Sequence, residues 1–247
     1  MAENTVSAAR IRENYLEIQG LVADAASRSG RSADAVRIVG VTKYVDIAAA
    51  LAVVEAGCID LGESRPQSLW DKAAQLPNSV RWHLIGHLQR NKCKRTLPLL
   101  HRLHSLDSWR LAEQIAADAA PLQAPVQALL EVNLTLDPAK TGLPPEAALP
   151  WLQQYLNDPN VRQRLHIAGL MGMSSLAADR DQTRREFAHL RELRDRWSHE
   201  LEWPLQELSM GMSDDFEIAI EEGSTCVRIG SRFFRDPDAS TSGAAVG

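Results

Sequence analysis

Cysteine is scarce in this 247-residue chain: Cys58, Cys93 and Cys226 form an odd, scattered set with no CxxC spacing. That excludes a disulfide framework and a zinc ribbon, and leaves the three as small buried hydrophobes without chemistry. Long apolar runs are missing too. The longest uncharged one, Ile47 to Val54, falls far short of the roughly 20 residues of a bilayer span. Glu3, Arg10, Arg12 and Glu13 interrupt the N-terminus where a signal peptide needs its apolar centre, so a cytoplasmic location is expected. Nor is there an excess of positive charge. With a net charge of −5, no global basic field draws the chain to nucleic acid or an anionic membrane. No internal repeat of fixed period is present, which excludes a solenoid.

What is present is an alternation of short branched-residue runs with helical stretches. An amphipathic helix from Thr5 to about Ser27 is followed by the run Val36 to Thr42, a buried strand rich in branched residues. Asp46 caps a helix through Ala56 that Gly57 closes, and Pro66 opens another to Leu76. Further strands are expected at Cys58–Ser64, Val80–Gly86, Leu103–Leu106, Val126–Asn133, Leu165–Met171, Leu205–Ser209 and Cys226–Ile229. Between them lie a basic helix from about Gln89, one opened by Asp107 or Ser108, and helices at Pro145–Leu156, Asp181–His199 and Asp214–Glu222. Parallel neighbours need crossover connections, so the alternation predicts a parallel sheet. Eight strands in about 250 residues predict an α/β fold, a (β/α)8 TIM barrel with an extra N-terminal helix. Residues 1–235 are expected to form one domain, and 236–247, without apolar periodicity, a disordered tail.

In such a barrel the chemistry collects at the C-terminal ends of the strands. Lys43 ends the first apolar run there, although a lone strand-end lysine is ordinarily solvated surface. The loops after strands seven and eight read Ser209-Met210-Gly211-Met212-Ser213-Asp214 and Arg228-Ile229-Gly230-Ser231. Each pairs a glycine, which lets backbone approach a ligand, with a hydroxyl that can help hold an anion. Such pairs also make plain turns; their weight comes from sharing the face that carries Lys43. A phosphate cradle facing an amine that can condense with a carbonyl fits pyridoxal 5′-phosphate (PLP). Arg228 is the candidate partner for the pyridine nitrogen, with a salt bridge to Glu217, Glu221 or Glu222 as the alternative.

Seven motifs in order carry a resemblance that runs from about residue 5 to 234. They are Val-Gly-Val-Thr-Lys at 39–43, Leu-Gly-Glu at 61–63, Trp-His-Leu-Ile-Gly-His-Leu-Gln-Arg-Asn-Lys at 82–92, Glu-Val-Asn-Leu at 131–134, Gly-Leu-Met at 169–171, Leu-Ser-Met-Gly-Met-Ser-Asp-Asp at 208–215 and Val-Arg-Ile-Gly at 227–230. In these the chain resembles the PLP homeostasis protein family, single-domain relatives of the alanine racemase N-terminal barrel of fold type III. The resemblance implies that Lys43 holds PLP as a Schiff base, that Ser213, Gly230 and Ser231 hold its phosphate, and that Arg228 faces the pyridine nitrogen. It also implies that Ile85 and Met171 line the ring, while His83 and Met212 lie in matching motifs. The family continues Gly-Glu-Asn where this chain has Ser64, a hydroxyl in place of an amide beside the cofactor. It ends Phe-Gly where this chain has Phe234-Arg235.

An arginine facing the pyridine nitrogen keeps its proton and makes the ring a weak electron sink. Racemases related to this barrel take a second base from a β domain, and the chain ends soon after its eighth strand. Tyr44, the strand neighbour of Lys43, is expected to point to the opposite side, and Tyr15 and Tyr155 fall on helices away from the mouth. The expected function is therefore cofactor handling without robust turnover, a monomeric PLP carrier or buffer with PLP-dependent apoenzymes as acceptors; a PLP-dependent amino-acid racemase is the alternative. Arg90, Lys92, Lys94 and Arg95 read as a solvated helix face and not a nucleic-acid site. His83 with His87, and His101 with His104, lack a completing ligand set, so no metal is expected. Asp214-Asp215 reads as a helix cap.

Overall fold

The computed structural model describes residues 6–135, 140–175 and 178–236. The eight strands form a closed, all-parallel barrel in sequence order: β1 Arg37–Val41, β2 Asp60–Glu63, β3 Arg81–Leu84, β4 Leu100–Leu106, β5 Val126–Glu131, β6 Leu165–Met171, β7 Glu207–Ser209 and β8 Cys226–Ile229. Closure is made by β1 against β8, with Val39 opposite Arg228 and Gly40 opposite Ile229. The expected barrel is borne out. The expected tail, apart from Asp236, lies outside the described residues.

Alternation along each strand sends one set of residues outward under the helices. Leu61, Leu84, Leu103, Leu130, Leu208, Val227 and Ile229 are fully buried there, in one continuous core with the helices. The helices are α1 Ala8–Arg28, α2 Ile47–Glu55, α3 Pro66–Ala73, α4 Cys93–Thr96, α5 Trp109–Asp118, α6 Pro145–Asn157, α7 Pro159–Arg162, α8 Arg180–Glu200 and α9 Phe216–Glu221. On α8 the inner stripe Phe187, Leu190, Leu193 and Trp197 is buried, each side chain worth about 1.5–3 kcal/mol. Asp46 Oδ1 caps α2 by accepting from the Ala49 N–H (2.8 Å). The extra helix α1 packs on α2 and α9 and ties down the chain after β8: Asn14 Nδ2 donates to the carbonyls of Phe233 and Arg235 (both 2.9 Å), and Tyr15 stacks on Phe233.

Three expectations change. The segment after β3 is a 3-10 turn, Arg90–Lys92, running into the single-turn α4, and Arg95 lies over Trp70, 4.1 Å from the ring centroid. One cation of the basic cluster is thus taken up by an aromatic ring within the chain itself. Asp158, whose carboxylate accepts from the N–H groups of Asn160 and Val161, starts the unexpected α7. β4 begins three residues early because its polar inward residues break the apolar run. The cysteines are free and buried, and burial pushes their thiols up to about 12, 12 and 11 for Cys58, Cys93 and Cys226. Among the described residues no helix is long and apolar enough to cross a membrane.

Candidate functional site

Lys43 lies at the mouth, two residues past the end of β1. The Thr42 N–H still donates to the Gly62 carbonyl (3.0 Å), so the chain leaves the sheet at Lys43 itself. The expectation that Lys43 and Tyr44 continue the strand and diverge is corrected here. Both sit in a turn, and Lys43 Nζ stands 4.9 Å from the centroid of the Tyr44 ring, which is 87% exposed. Tyr15 and Tyr155 do lie away from the mouth; the Tyr155 hydroxyl donates to the carbonyl of Leu165, the first residue of β6.

A buried ion pair that sequence reasoning missed anchors this turn. Lys72 Nζ on α3 donates to Glu63 Oε1 (2.7 Å) and to the Thr42 carbonyl (2.6 Å), and the Thr42 hydroxyl donates to the same Oε1 (2.7 Å). Its signal was available: Leu69, Lys72 and Leu76 share one helical stripe whose other members are buried.

Arg228, 4% exposed, projects into the barrel from β8. Its Nη1 donates to Ser209 Oγ (2.6 Å) and its Nη2 to the Gly172 carbonyl (3.2 Å). The alternative partners are engaged elsewhere: Glu217 and Glu221 pair with Arg28, and Glu222 with Arg184 and Arg191. No carboxylate among the described residues lies within ion-pair distance of Arg228. Burial lowers its pKa from the ordinary arginine value, against the pull of Asp215 and Glu131.

The two glycine–serine loops meet as expected. The Gly230 N–H donates to Ser213 Oγ (3.2 Å), Arg232 Nε donates to the Ser213 carbonyl (2.7 Å), and Ser231 opens the exposed start of a 3-10 turn. The bend needs Gly211, whose φ is +94° and whose Cβ, were there one, would meet Ala219 Cβ at 2.6 Å and Phe216 Cα at 2.9 Å. Asp215 occupies the cap position of α9 without capping it. Instead its Oδ1 accepts from the Met212 N–H (2.6 Å) and its Oδ2 from the Ser174 hydroxyl (2.7 Å), which ties the loops after β6 and β7 together.

His83 is the candidate the structure moves. It is fully buried inside the barrel, with Nδ1 2.8 Å from His104 Nε2 and Nε2 2.8 Å from Asp60 Oδ1. Since Asp60 begins β2, His83 points toward the N-terminal end of the barrel and away from the mouth. His104 Nδ1 in turn lies 2.8 Å from Ser209 Oγ, a contact that crosses from β4 to β7. Burial lowers the pKa of His83 and His104, and that of His101 to about 4; His83 adds to the effect on His104 and His101, and neighbouring arginines add to all three. Burial would raise Asp60, but His83 and Arg81 outweigh it and hold the carboxyl below its ordinary value. The sequence pairs of histidines are also regrouped: Asp60, His83 and His101 bring ligand-type atoms within 4.8 Å of one another. Arg37 and Arg81 both contact Asp60, a setting that opposes a cation. Near the mouth, buried Glu131 at the end of β5 accepts from the Thr141 hydroxyl (2.6 Å), and burial raises its pKa.

The family described as alanine racemase, N-terminal domain, matches residues 6–236. The pyridoxal phosphate homeostasis protein of Aquifex aeolicus is 36% identical over 211 residues, 85% of this chain and 91% of its own. That of Pseudomonas aeruginosa is 35% identical over 226 residues, 91% of this chain and 94% of its own. The chain belongs to the pyridoxal phosphate homeostasis protein family. PipY of Synechococcus elongatus, solved with PLP bound, shares the structure with a TM-score of 0.79 at 30% identity, over 91% of this chain and 100% of that one. Alanine racemase of Corynebacterium glutamicum, at 11% identity and a TM-score of 0.70, shares the fold alone; this chain spans 65% of it.

The remaining positions matched to the homeostasis protein family fall around the same mouth. Ile85 follows β3, and a Cβ on Gly62 would sit 3.5 Å from its Cδ1 and 3.0 Å from Val39 Cγ1, so these three share one apolar patch. Met171 is buried in a small cluster with Leu129, Ala168 and Met173, apart from the main core. Ser64 follows β2, where its carbonyl would lie 2.4 Å from a Cβ on Gly86, and Met212 is exposed beside Ser213.

Proposed function

We propose that this chain binds PLP as a Schiff base on Lys43 and serves intracellular PLP homeostasis as a cytoplasmic, monomeric carrier or buffer without robust turnover. The observation that carries this reading is Arg228, a buried guanidinium at the mouth with no carboxylate partner among the described residues, beside the joined Ser213 and Gly230 loops. A buried cation is stable only when hydrogen bonds or an anion compensate it. The residues fit the group: Arg228 would donate to the ring nitrogen, Ser213, Gly230 and Ser231 would hold the phosphate, and Ile85, Met171, Ser64 and Met212 would border the ring. When bound, PLP supplies an electrophilic aldehyde and a conjugated ring.

Lys43 would exchange its contact with Tyr44, worth about 0.5–1 kcal/mol at an exposed site, for the aldehyde carbon. Because an arginine keeps its proton, the ring nitrogen stays unprotonated and carbanion chemistry is disfavoured. That property supports a holder of PLP, with PLP-dependent apoenzymes as acceptors, over an enzyme.

The test is the visible absorbance band of purified protein after addition of PLP. It is expected in the parent and absent in Lys43→Ala; a parent without the band ends the reading. One observation favours the racemase alternative, the phenol of Tyr44 standing beside Lys43. Robust conversion of L-alanine or L-serine to the D isomer, lost in Tyr44→Phe, would replace the carrier reading.

A further inference from the structure

Arg228 is linked by hydrogen bonds to a carboxylate at the other end of the barrel. Four hydrogen bonds run in line from it: Arg228 Nη1 to Ser209 Oγ (2.6 Å), Ser209 Oγ to His104 Nδ1 (2.8 Å), His104 Nε2 to His83 Nδ1 (2.8 Å), and His83 Nε2 to Asp60 Oδ1 (2.8 Å). The four residues after Arg228 are each at least nine-tenths buried. Arg81 holds the second oxygen of Asp60, and Arg37 Nε stands 3.9 Å from the first.

The direction of every proton follows from both ends. An ionised Asp60 only accepts, so His83 Nε2 carries hydrogen. A neutral His83 then has a lone pair on Nδ1, which accepts from His104 Nε2–H. Neutral His104 is left with a lone pair on Nδ1. From the other end, Arg228 only donates, so Ser209 Oγ accepts from it. The hydroxyl proton of fully buried Ser209 then has one acceptor among the described residues, His104 Nδ1. Asp60 and Arg228 thus impose the same tautomer on both histidines. At the other end of the column, Asp60 borders a cavity of about 650 Å³ at the N-terminal face, with Arg37, Arg81 and Glu207.

We propose that Ser209, His104, His83 and Asp60 form one directed hydrogen-bond column that positions Arg228 from the far end of the barrel. The four are positioning residues. They never touch a ligand at the mouth, and the inference rests on the reading that Arg228 faces the ring nitrogen of PLP. A column of aligned bonds presents its acceptor end to Arg228 and fixes the direction of the guanidinium N–H groups that Ser209 and the Gly172 carbonyl leave over. A metal ion on Asp60, His83 and His101 would take His83 Nε2, force the proton onto Nδ1 and reverse the column, so tautomers separate the two uses of these residues.

Nitrogen-15 spectra of histidine-labelled protein without ligand read the tautomers directly. The column requires His83 and His104 to be neutral with Nε2 protonated between pH 6 and 8, and Ser209→Ala to disturb His83, two links away. Ser209→Ala is expected to retain PLP on the order of ten- to hundredfold more weakly, the worth of one hydrogen bond to a charged group. His104→Gln, which keeps an acceptor and a donor, is expected to hold PLP better than His104→Leu. An Nδ1–H tautomer in the parent, or parental PLP retention and spectrum in Ser209→Ala, would overturn the proposal. If His104→Leu does not fold, the parent spectra and Ser209→Ala still decide. A parent that binds no PLP defeats the function proposed above, while the tautomer measurement continues to judge the column.

Discussion

Lys72 escapes notice in the sequence because a lysine within an apolar helical stripe looks like a polar interruption. It is buried because Glu63 and the Thr42 carbonyl accept its hydrogen bonds in place of water. Lys72→Met removes one member and leaves the buried Glu63 side chain without its cation, with one oxygen already unpartnered. The expected loss is about 3–5 kcal/mol in urea unfolding, with much of it recovered in Lys72→Met/Glu63→Met, where no lone charge remains. The same pairing sets the start of the turn that presents Lys43, so the single variant should also weaken the PLP absorbance band. Lys43, Arg228, Ser213 and Gly230 are legible in the sequence because each occupies a strand end or a loop that follows one. His83 sits in a motif shared with mouth residues, and only its side-chain direction shows it bonded below.

Among the elements, strands of branched residues and helices with a clear stripe follow the sequence pattern closely; α2, α8 and β8 match within a residue or two. The misread elements share a cause. β4 and the segment after β3 carry inward histidine and arginine residues and an internal cation–aromatic contact, so their hydrophobic pattern does not report their structure. The loop after β7 depends on one backbone conformation. Gly211→Ala places a methyl group against Ala219 and the Phe216 backbone at positive φ, and is expected to cost about 1–3 kcal/mol. Because that loop carries Ser213, thermal unfolding should fall together with PLP retention. A variant with parental values for both would show that the loop tolerates the shift.

For the whole molecule, the polar barrel interior predicts how stability responds to acid. His101 is held at about 4 by burial and by His83, Arg37 and Arg102, against an ordinary 6.5, and burial also lowers His83, His104 and His166. Between pH 6.5 and 4 the unfolded chain binds more protons than the folded one, so stability is full above 6.5 and declines as pH falls through that window. Each tenfold change in proton affinity is worth about 1.4 kcal/mol, and solvent reaching the half-buried His101 ring reduces the effect, so this residue alone accounts for a loss of about 1–3 kcal/mol. Glu131, raised by burial, works the other way, and Asp60 adds a further loss only in stronger acid. Urea unfolding at pH 7, 6 and 5 should show the decline, shallower in His101→Gln; a flat profile would contradict it.

The barrel itself was written in the linear chain, because the spacing of branched runs, helical stripes, caps and glycines is local physics repeated eight times around a closed sheet. So was the set of loops that share the face of Lys43, since strand direction follows from parallel connection. Which charges meet was settled only by the folded chain. Asp60 and Arg228 lie near opposite ends of the sequence, and they are joined through His83, His104 and Ser209 only because β2, β3, β4, β7 and β8 turn those side chains into one interior. Pairing across a lumen depends on closure and register, which no local pattern encodes.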